Sequence, residues 1–225
     1  MAKSQRELDT QMERNIVMPF LQKYLFSRLF DDVEYVDDIE RQLQGIDVII
    51  NDNGFEENID VKAQASAKYI NKPVPTFVQE LLYTAKNRTE HIGWFLDDTL
   101  TDTYVDVWIH AANTNERGMP ESPDDIIDVE VMFVDKVPLV AYLESKGYTA
   151  EVLLKRAREM RSVGYYRQDS VLPDQDDNEM WLSYSDDLAE KPVNLVIKKR
   201  VLRKFATKHV RVTKSGVFDI TNDLV

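Results

Sequence analysis

The sequence contains no cysteine and only three histidines. Disulfide bonds, thiolate catalysis and cysteine-ligated zinc or iron-sulfur centres are therefore excluded, and a histidine-rich metal site is disfavoured. Also missing are a glycine-rich phosphate loop, a G-x-S-x-G elbow and an H-E-x-x-H pair. Any metal site must therefore use oxygen ligands, and kinase, dehydrogenase, serine-hydrolase and zinc-protease chemistry are disfavoured.

Long apolar runs are absent as well, because no segment approaches the roughly 18 apolar residues that a membrane span needs. The N-terminal stretch MAKSQRELDT is too polar for a signal peptide. We therefore expect a cytoplasmic protein without a membrane partner. The 225 residues, 43% of them hydrophobic, include only 7 glycines and 8 prolines, which is a globular composition.

The net charge of -12 is unevenly distributed. Residues 169–190 hold eight acids and no base, whereas residues 191–225 hold nine Lys and Arg against two acids. One interpretation is that these segments pair with each other on a solvated surface. The other is that a basic strip binds the phosphates of a nucleic acid. The residues assigned to that strip are Lys198, Lys199, Arg200 and Lys204.

Apolar periodicity and turn residues predict an alternating order of elements. The predicted helices cover residues 4–30, 76–89, 138–146 and 149–162. The predicted strands cover residues 33–36, 45–51, 56–64, 104–111, 127–134 and 193–204, and residues 112–125 and the acidic segment are predicted loops. No repeat or linker interrupts this order. We therefore expect one α/β domain over residues 1–225, with a mixed sheet flanked by helices.

The segment QLQGIDVIINDNGFEENIDVKAQ contains the strongest local signal. Asn53-Gly54 between two apolar segments predicts a two-residue hairpin turn. This turn places Asp47 directly opposite Asp60, with Lys62 two residues further along the same face. The other face of the hairpin is largely aliphatic and is predicted to face the core.

Two carboxylates about 4.5 to 5.5 Å apart destabilise a sheet. A divalent cation between them would reverse that effect, and carboxylates, a backbone carbonyl and waters suit Mg²⁺. Lys62 would then be placed to orient or deprotonate a water and to offset charge on a phosphate. The alternative is an exposed hairpin face with ordinary solvated charges.

Gly45-Ile46-Asp47, the hairpin and Ile59-Asp60-Val61-Lys62 resemble the PD-(D/E)XK nuclease superfamily, which has the restriction-endonuclease-like fold. Its core order of helix, three strands, helix and strand corresponds to residues 1–111. Residues 112–225 would form a C-terminal α/β extension with a basic tail at 191–225. The resemblance implies a Mg²⁺- or Mn²⁺-dependent nuclease in which Asp47, Asp60 and the Val61 carbonyl bind metal and Lys62 positions the attacking water.

The same resemblance implies one further acid or amide in the site. Glu7, Glu13, Gln64 and Glu80 are available, and Glu80 is the preferred candidate because it lies near the start of the helix predicted at 76–89. A solvated glutamate in the first turn of a helix is the alternative for Glu80.

The expected function is hydrolysis of nucleic-acid phosphodiester bonds, with DNA expected over RNA. Two alternatives stay open. One is a catalytically silent nucleic-acid-binding or structural module of the same fold in a larger phage or mobile-element assembly. The other is a hydrolase of a small phosphorylated substrate, which predicts no affinity for polynucleotides.

Overall fold

The computed structural model describes residues 5–52, 54–97, 99–164 and 179–221. Predictions for Asn53 and for residues 169–178 therefore lie outside the described residues. The chain divides into two compact units. The seven-stranded unit contains Arg6–Val74, Leu100–Lys136 and Phe205–Val225, and the four-stranded unit contains Pro75–Thr99 and Val137–Lys204. The units interleave along the sequence, and the expectation of a single domain stays a prediction.

The first described helix, α1, confirms the helix predicted at 4–30. Its α-helical segments alternate with π-helical ones, in the order Gln5–Met12, Glu13–Val17 (π), Met18–Leu21, Gln22–Phe26 (π) and Ser27–Leu29. Pro19 has no amide proton, so it cannot donate the usual helical hydrogen bond. The apolar positions of α1, including Ile16, Phe20 and Leu25, are buried. This burial explains the three- and four-residue spacing of the sequence.

The strands are numbered along the whole chain. They are β1 (Val33–Tyr35), β2 (Val48–Asp52), β3 (Phe55–Ala63), β4 (Thr76–Thr84), β5 (Glu90–Ile92), β6 (Thr103–Ala111), β7 (Ile126–Asp135), β8 (Met180–Tyr184), β9 (Val193–Lys198), β10 (Ala206–Thr213) and β11 (Val217–Asp219). The larger sheet has the order β1-β2-β3-β6-β7-β10-β11. Its β3 and β6 are parallel, and its other neighbours are antiparallel.

One face of the larger sheet packs against α1. Val61, Val105 and Val107 from the sheet share a hydrophobic core with Phe20 and Leu25 from the helix. Side chains alternate between the two faces of a strand. The residues that alternate with these valines on β3 and β6 therefore project from the opposite face of the sheet.

The four-stranded unit has the antiparallel sheet order β5-β4-β9-β8. The described helices beyond α1 are α2 (Ile39–Leu43) in the seven-stranded unit, α3 (Lys136–Ser145), α4 (Ala150–Val163) and α5 (Lys199–Leu202). Thr149 caps the start of α4, and Gly164 ends it in the left-handed conformation with φ of 70°. The helices predicted at 138–146 and 149–162 are confirmed within a few residues.

Residues 76–89 do not form the predicted helix. Thr76–Thr84 form β4, which pairs with β9 and buries Phe77 and Leu81, and residues 85–89 follow the strand. The sequence QELL favours a helix, but Thr76, Phe77 and Val78 favour a strand, and cross-strand pairing decides the outcome.

Other boundaries were also wrong. The strand predicted at 193–204 ends at Lys198, where α5 follows. The acidic segment predicted as a loop contains β8, and two strands, β10 and β11, were not predicted. Residues 39–43, for which no element was predicted, form α2.

The coarse fold prediction is confirmed, because helices flank a mixed sheet in a mixed α/β structure. Among the described residues, no helix combines the length and the apolar composition that crossing a membrane would require.

Candidate functional site

Asp47 and Asp60 meet at the open end of the β2–β3 hairpin. The described ladder runs from Val48 opposite Ile59 to Asp52 opposite Phe55, as expected for a two-residue turn. Asp47 immediately precedes β2. Its amide donates a hydrogen bond of 2.8 Å to the Ile59 carbonyl, and its carboxylate accepts one of 2.9 Å from the Val61 amide. The Asp47 carboxylate is therefore held beside the backbone between Asp60 and Lys62.

Lys62 forms an ion pair with the buried Asp60. Its ammonium donates a hydrogen bond to Asp60 Oδ1. Burial lowers the pKa of Lys62, but the nearby carboxyl groups of Asp60, Asp47 and Glu13 together raise it above its ordinary value. Lys62 therefore stays protonated at neutral pH.

Burial is the main cause that raises the pKa of Asp60 to about 7. The Lys62 ammonium opposes this shift, and the negative charge of Asp47 adds to it. A carboxyl with this pKa titrates near neutrality, which is unusual for aspartate and frequent at functional sites. The Asp60 side chain is only 2% exposed, so solvent does little to compensate its charge.

Glu13 of α1 belongs to the same electrostatic cluster. Burial raises its pKa to about 8; Lys62 opposes the shift, whereas Asp47 and Asp60 increase it. The residue begins a π-helical segment, a distortion that often accompanies functional sites. The sequence carried a signal for this placement, because Glu13 lies three and four residues before the buried Ile16 and Val17 on the inner side of α1.

A third aspartate of this electrostatic cluster, Asp106, was missed in the sequence. Asp106 lies in the middle of β6, and its Cα is paired with that of Lys62 on β3. It is fully buried, and burial raises its pKa well above the ordinary value; Asp60 adds to the shift and Lys62 opposes it. The available signal was a single acid inside the apolar strand sequence TYVDVWIHA.

The donor set suits a hard divalent cation. Carboxylates from Asp47 and Asp60 lie together, and no hydrogen-bond donor among the described residues reaches Asp60 Oδ2. Within the described ranges, no three or more acidic or histidine side chains are arranged to hold a metal ion. Mg²⁺ is often held by only one or two carboxylates and keeps several waters. The residues present therefore fit a two-carboxylate Mg²⁺ or Mn²⁺ site.

Glu80 does not lie at the start of a helix. It is on β4 in the four-stranded unit, whereas Asp47 and Asp60 belong to the seven-stranded unit. Its carbonyl accepts a hydrogen bond of 3.2 Å from the Phe95 amide. A Cβ at Gly93 would lie 2.3 Å from this carbonyl oxygen, so glycine permits the close approach. The helix placement on which the Glu80 prediction rested is therefore wrong.

The other two candidates for the additional group lie in the seven-stranded unit. Glu7 is half-buried on α1. Gln64 follows β3 directly, is buried, and donates its backbone amide proton to the Val107 carbonyl at 2.9 Å.

The basic strip lies at the end of β9 and in the residues that follow. Lys198 ends β9, Lys199 and Arg200 lie in α5, and Lys204 follows. Two of these cations contact an acid of residues 169–190. Arg200 lies 3.9 Å and Lys204 3.5 Å from Glu179 Oε1. Pairing between the acidic and basic segments is thus partly realised, and nucleic-acid binding by this strip stays a prediction.

No protein-family model, curated protein or solved structure matches this chain. The resemblance to the PD-(D/E)XK superfamily therefore rests on the residues of the hairpin and on their arrangement.

Proposed function

We propose that this chain is a Mg²⁺- or Mn²⁺-dependent nuclease with a restriction-endonuclease-like core. It would hydrolyse phosphodiester bonds of nucleic acid, with DNA as the expected substrate. The observation that carries this proposal is the convergence of Asp47, Asp60 and Lys62 at the open end of the β2–β3 hairpin. This combination matches what the resemblance to the PD-(D/E)XK superfamily implies.

Each residue has a role that follows from its surroundings. Asp47 and Asp60, with the Val61 carbonyl, would hold the cation, which when bound acts as a Lewis acid on a phosphate oxygen. The raised pKa of Lys62 keeps its ammonium charged. Lys62 is therefore assigned to orient the attacking water and to stabilise negative charge on the phosphate, and not to act as a general base.

Glu13 replaces Glu80 as the additional carboxyl of the proposed site. Its charge interacts with those of Asp47, Asp60 and Lys62, and all four residues belong to the seven-stranded unit. A carboxyl with a pKa of about 8 is poised to exchange a proton near neutral pH.

Cleavage of a mixed panel of single- and double-stranded DNA and RNA tests the proposal. We expect products with Mg²⁺ or Mn²⁺, none with EDTA, and none from the Asp60→Asn variant. Asp31→Asn is the matched control, because Asp31 is exposed and has no place in the site. Equal cleavage by the parent and by Asp60→Asn would show that any activity comes from elsewhere.

One observation favours a second candidate function, the catalytically silent module. Lys62 already pairs with Asp60, so the carboxylate that would hold the cation has a partner in the structure as it stands. If the chain is such a module, it should bind nucleic acid with an affinity that falls as salt is added. It should not cleave nucleic acid with either Mg²⁺ or Mn²⁺.

A further inference from the structure

Asp106 is completely buried in the middle of β6. Neither of its carboxyl oxygens has a hydrogen-bond partner among the residues that the structure describes. A buried carboxyl without a hydrogen bond is costly, and such groups in folded proteins call for a functional or solvent explanation. A structural role would be served better by an apolar residue of similar size.

The register of the larger sheet identifies the neighbours of Asp106. Its cross-strand partners are Lys62 on β3 and Met132 on β7. Tyr104 and Trp108 lie two residues away along β6 on the same face, and both are buried. Lys62 is thus the cation beside Asp106, on a neighbouring strand about 4.8 Å away.

We propose that Asp106 is a positioning residue that receives the Lys62 ammonium when Asp60 binds a divalent cation. In the structure as it stands, Lys62 donates to Asp60 Oδ1. A cation on Asp60 repels the ammonium and competes for the same carboxylate. Asp106 offers acceptor oxygens on the adjacent strand, so Lys62 exchanges one hydrogen bond for another, and no proton is transferred.

This exchange has two consequences. It gives the carboxyl oxygens of Asp106 a donor, and it gives Lys62 a fixed position after Asp60 is engaged. The charges are already coupled, because Lys62 opposes the shift that burial imposes on the pKa of Asp106. The inference rests on the proposed role of Asp60 as a cation ligand, but it can be tested without metal.

The metal-free test is a double-mutant cycle on folding stability. Lys62→Met and Asp106→Leu are combined in the parent and again in an Asp60→Ala background, which removes the carboxylate that accepts a hydrogen bond from Lys62. We expect the coupling between Lys62 and Asp106 to change the folding equilibrium constant at least tenfold more in the Asp60→Ala background than in the parent. Equal coupling in the two backgrounds would overturn the partner exchange.

The second measurement is Mn²⁺ affinity by calorimetry. Asp106→Leu should weaken binding at least tenfold, because Lys62 stays on Asp60. Asp106→Asn, which keeps a carbonyl acceptor, should bind within about threefold of the parent. In a Lys62→Met background, Asp106→Leu should have no effect. If Asp106→Leu weakens Mn²⁺ binding as strongly in the Lys62→Met background as in the parent, Asp106 holds the cation directly. That result would also overturn the partner exchange.

The two proposals fail in different ways. If the parent binds no Mn²⁺ and cleaves nothing, the proposed nuclease function fails, and the stability cycle still decides whether Asp106 is the alternative partner of Lys62. If the parent binds Mn²⁺ and Asp106→Leu binds it equally well, the nuclease proposal stands and the partner exchange is wrong.

Discussion

The carboxylate of Asp47 accepts a hydrogen bond of 2.9 Å from the amide of Val61. This bond fixes the Asp47 side chain beside the peptide that joins Asp60 to Lys62. The bond thereby joins Asp47 to the ion pair of Lys62 with Asp60, although these residues are separate in the sequence. The bond also occupies only one of the acceptor positions of the Asp47 carboxylate, so the group can still face a cation.

The first prediction concerns metal and stability. Mg²⁺ or Mn²⁺ should raise the melting temperature of the parent, because a ligand at about 100 times its Kd stabilises the folded state by roughly 2.7 kcal/mol. Asp47→Asn should abolish this increase while keeping the hydrogen bond from Val61, since the amide carbonyl can still accept it. Differential scanning fluorimetry with and without metal measures the effect.

The control for this prediction is Asp31→Asn, which should respond to metal as the parent does. If the parent and Asp47→Asn melt at the same temperature in EDTA and in metal, the hairpin carries ordinary charges and no cation site.

The second prediction concerns pH in the absence of metal. Glu13 has a folded-state pKa of about 8, above its ordinary value of 4.5, so the folded protein keeps a proton that the unfolded chain releases. Its contribution to stability is present below about pH 4.5 and is lost as the pH rises to 8. Glu13→Gln should remove this loss and be more stable than the parent by on the order of 2 kcal/mol at pH 9.

Urea unfolding in EDTA at several pH values between 5 and 9 checks this expectation. Glu40→Gln, an exposed change on α2, is the matched control and should follow the parent. A stability difference between Glu13→Gln and the parent that does not vary with pH would contradict the raised pKa of Glu13.

The hairpin could be predicted from the sequence because its signals are local. Asn53-Gly54 and the alternation on both sides define the register without any tertiary contact. The helix predicted at 76–89 failed for the opposite reason. The β4 sequence contains some residues that favour a helix and others that favour a strand. Its pairing with β9, more than 100 residues later, makes it a strand.

The residues of the candidate site also divide into those that local signals place and those that distant contacts place. Asp47, Asp60 and Lys62 lie within one hairpin, so spacing alone placed them together. Glu13 reaches the cluster from α1, and Asp106 reaches it through the parallel pairing of β3 with β6. Those two positions depend on contacts between distant segments, which one sequence does not reveal. Glu80 was preferred over Glu13 only because β4 was taken for a helix.

The third prediction concerns the basic strip. Replacing its four cations, Lys198, Lys199, Arg200 and Lys204, with Gln should weaken nucleic-acid binding and flatten its salt dependence, by a slope of up to about 0.9 for each phosphate that is no longer neutralised. The effect should be uniform across sequences, since phosphate contacts do not distinguish bases. Fluorescence anisotropy at several salt concentrations, with Asp60→Asn added to prevent cleavage, measures it.

Glu179 separates the two interpretations of this strip. Because its carboxylate lies near Arg200 and Lys204, Glu179→Gln should strengthen binding if those cations meet phosphates. Four exposed lysines outside the strip serve as the charge-matched control set: Lys68, Lys72, Lys86 and Lys155. If the Gln variants of the strip and of the control set weaken binding equally, the strip has no special role.

The fourth prediction separates chemistry from folding and rests on Lys62. Its neighbours Val61 and Ala63 belong to or pack against the hydrophobic core, so Lys62→Met should leave the fold intact. Metal binding should persist, because an ammonium is not a ligand. Cleavage should fall at least about a hundredfold, since removal of one preorganised donor that stabilises developing negative charge typically costs about 10² to 10³ in rate. The exposed change Lys72→Met should leave the rate unaltered. Cleavage by Lys62→Met at the parent rate, in an assay where Asp60→Asn is inactive, would exclude Lys62 from the mechanism.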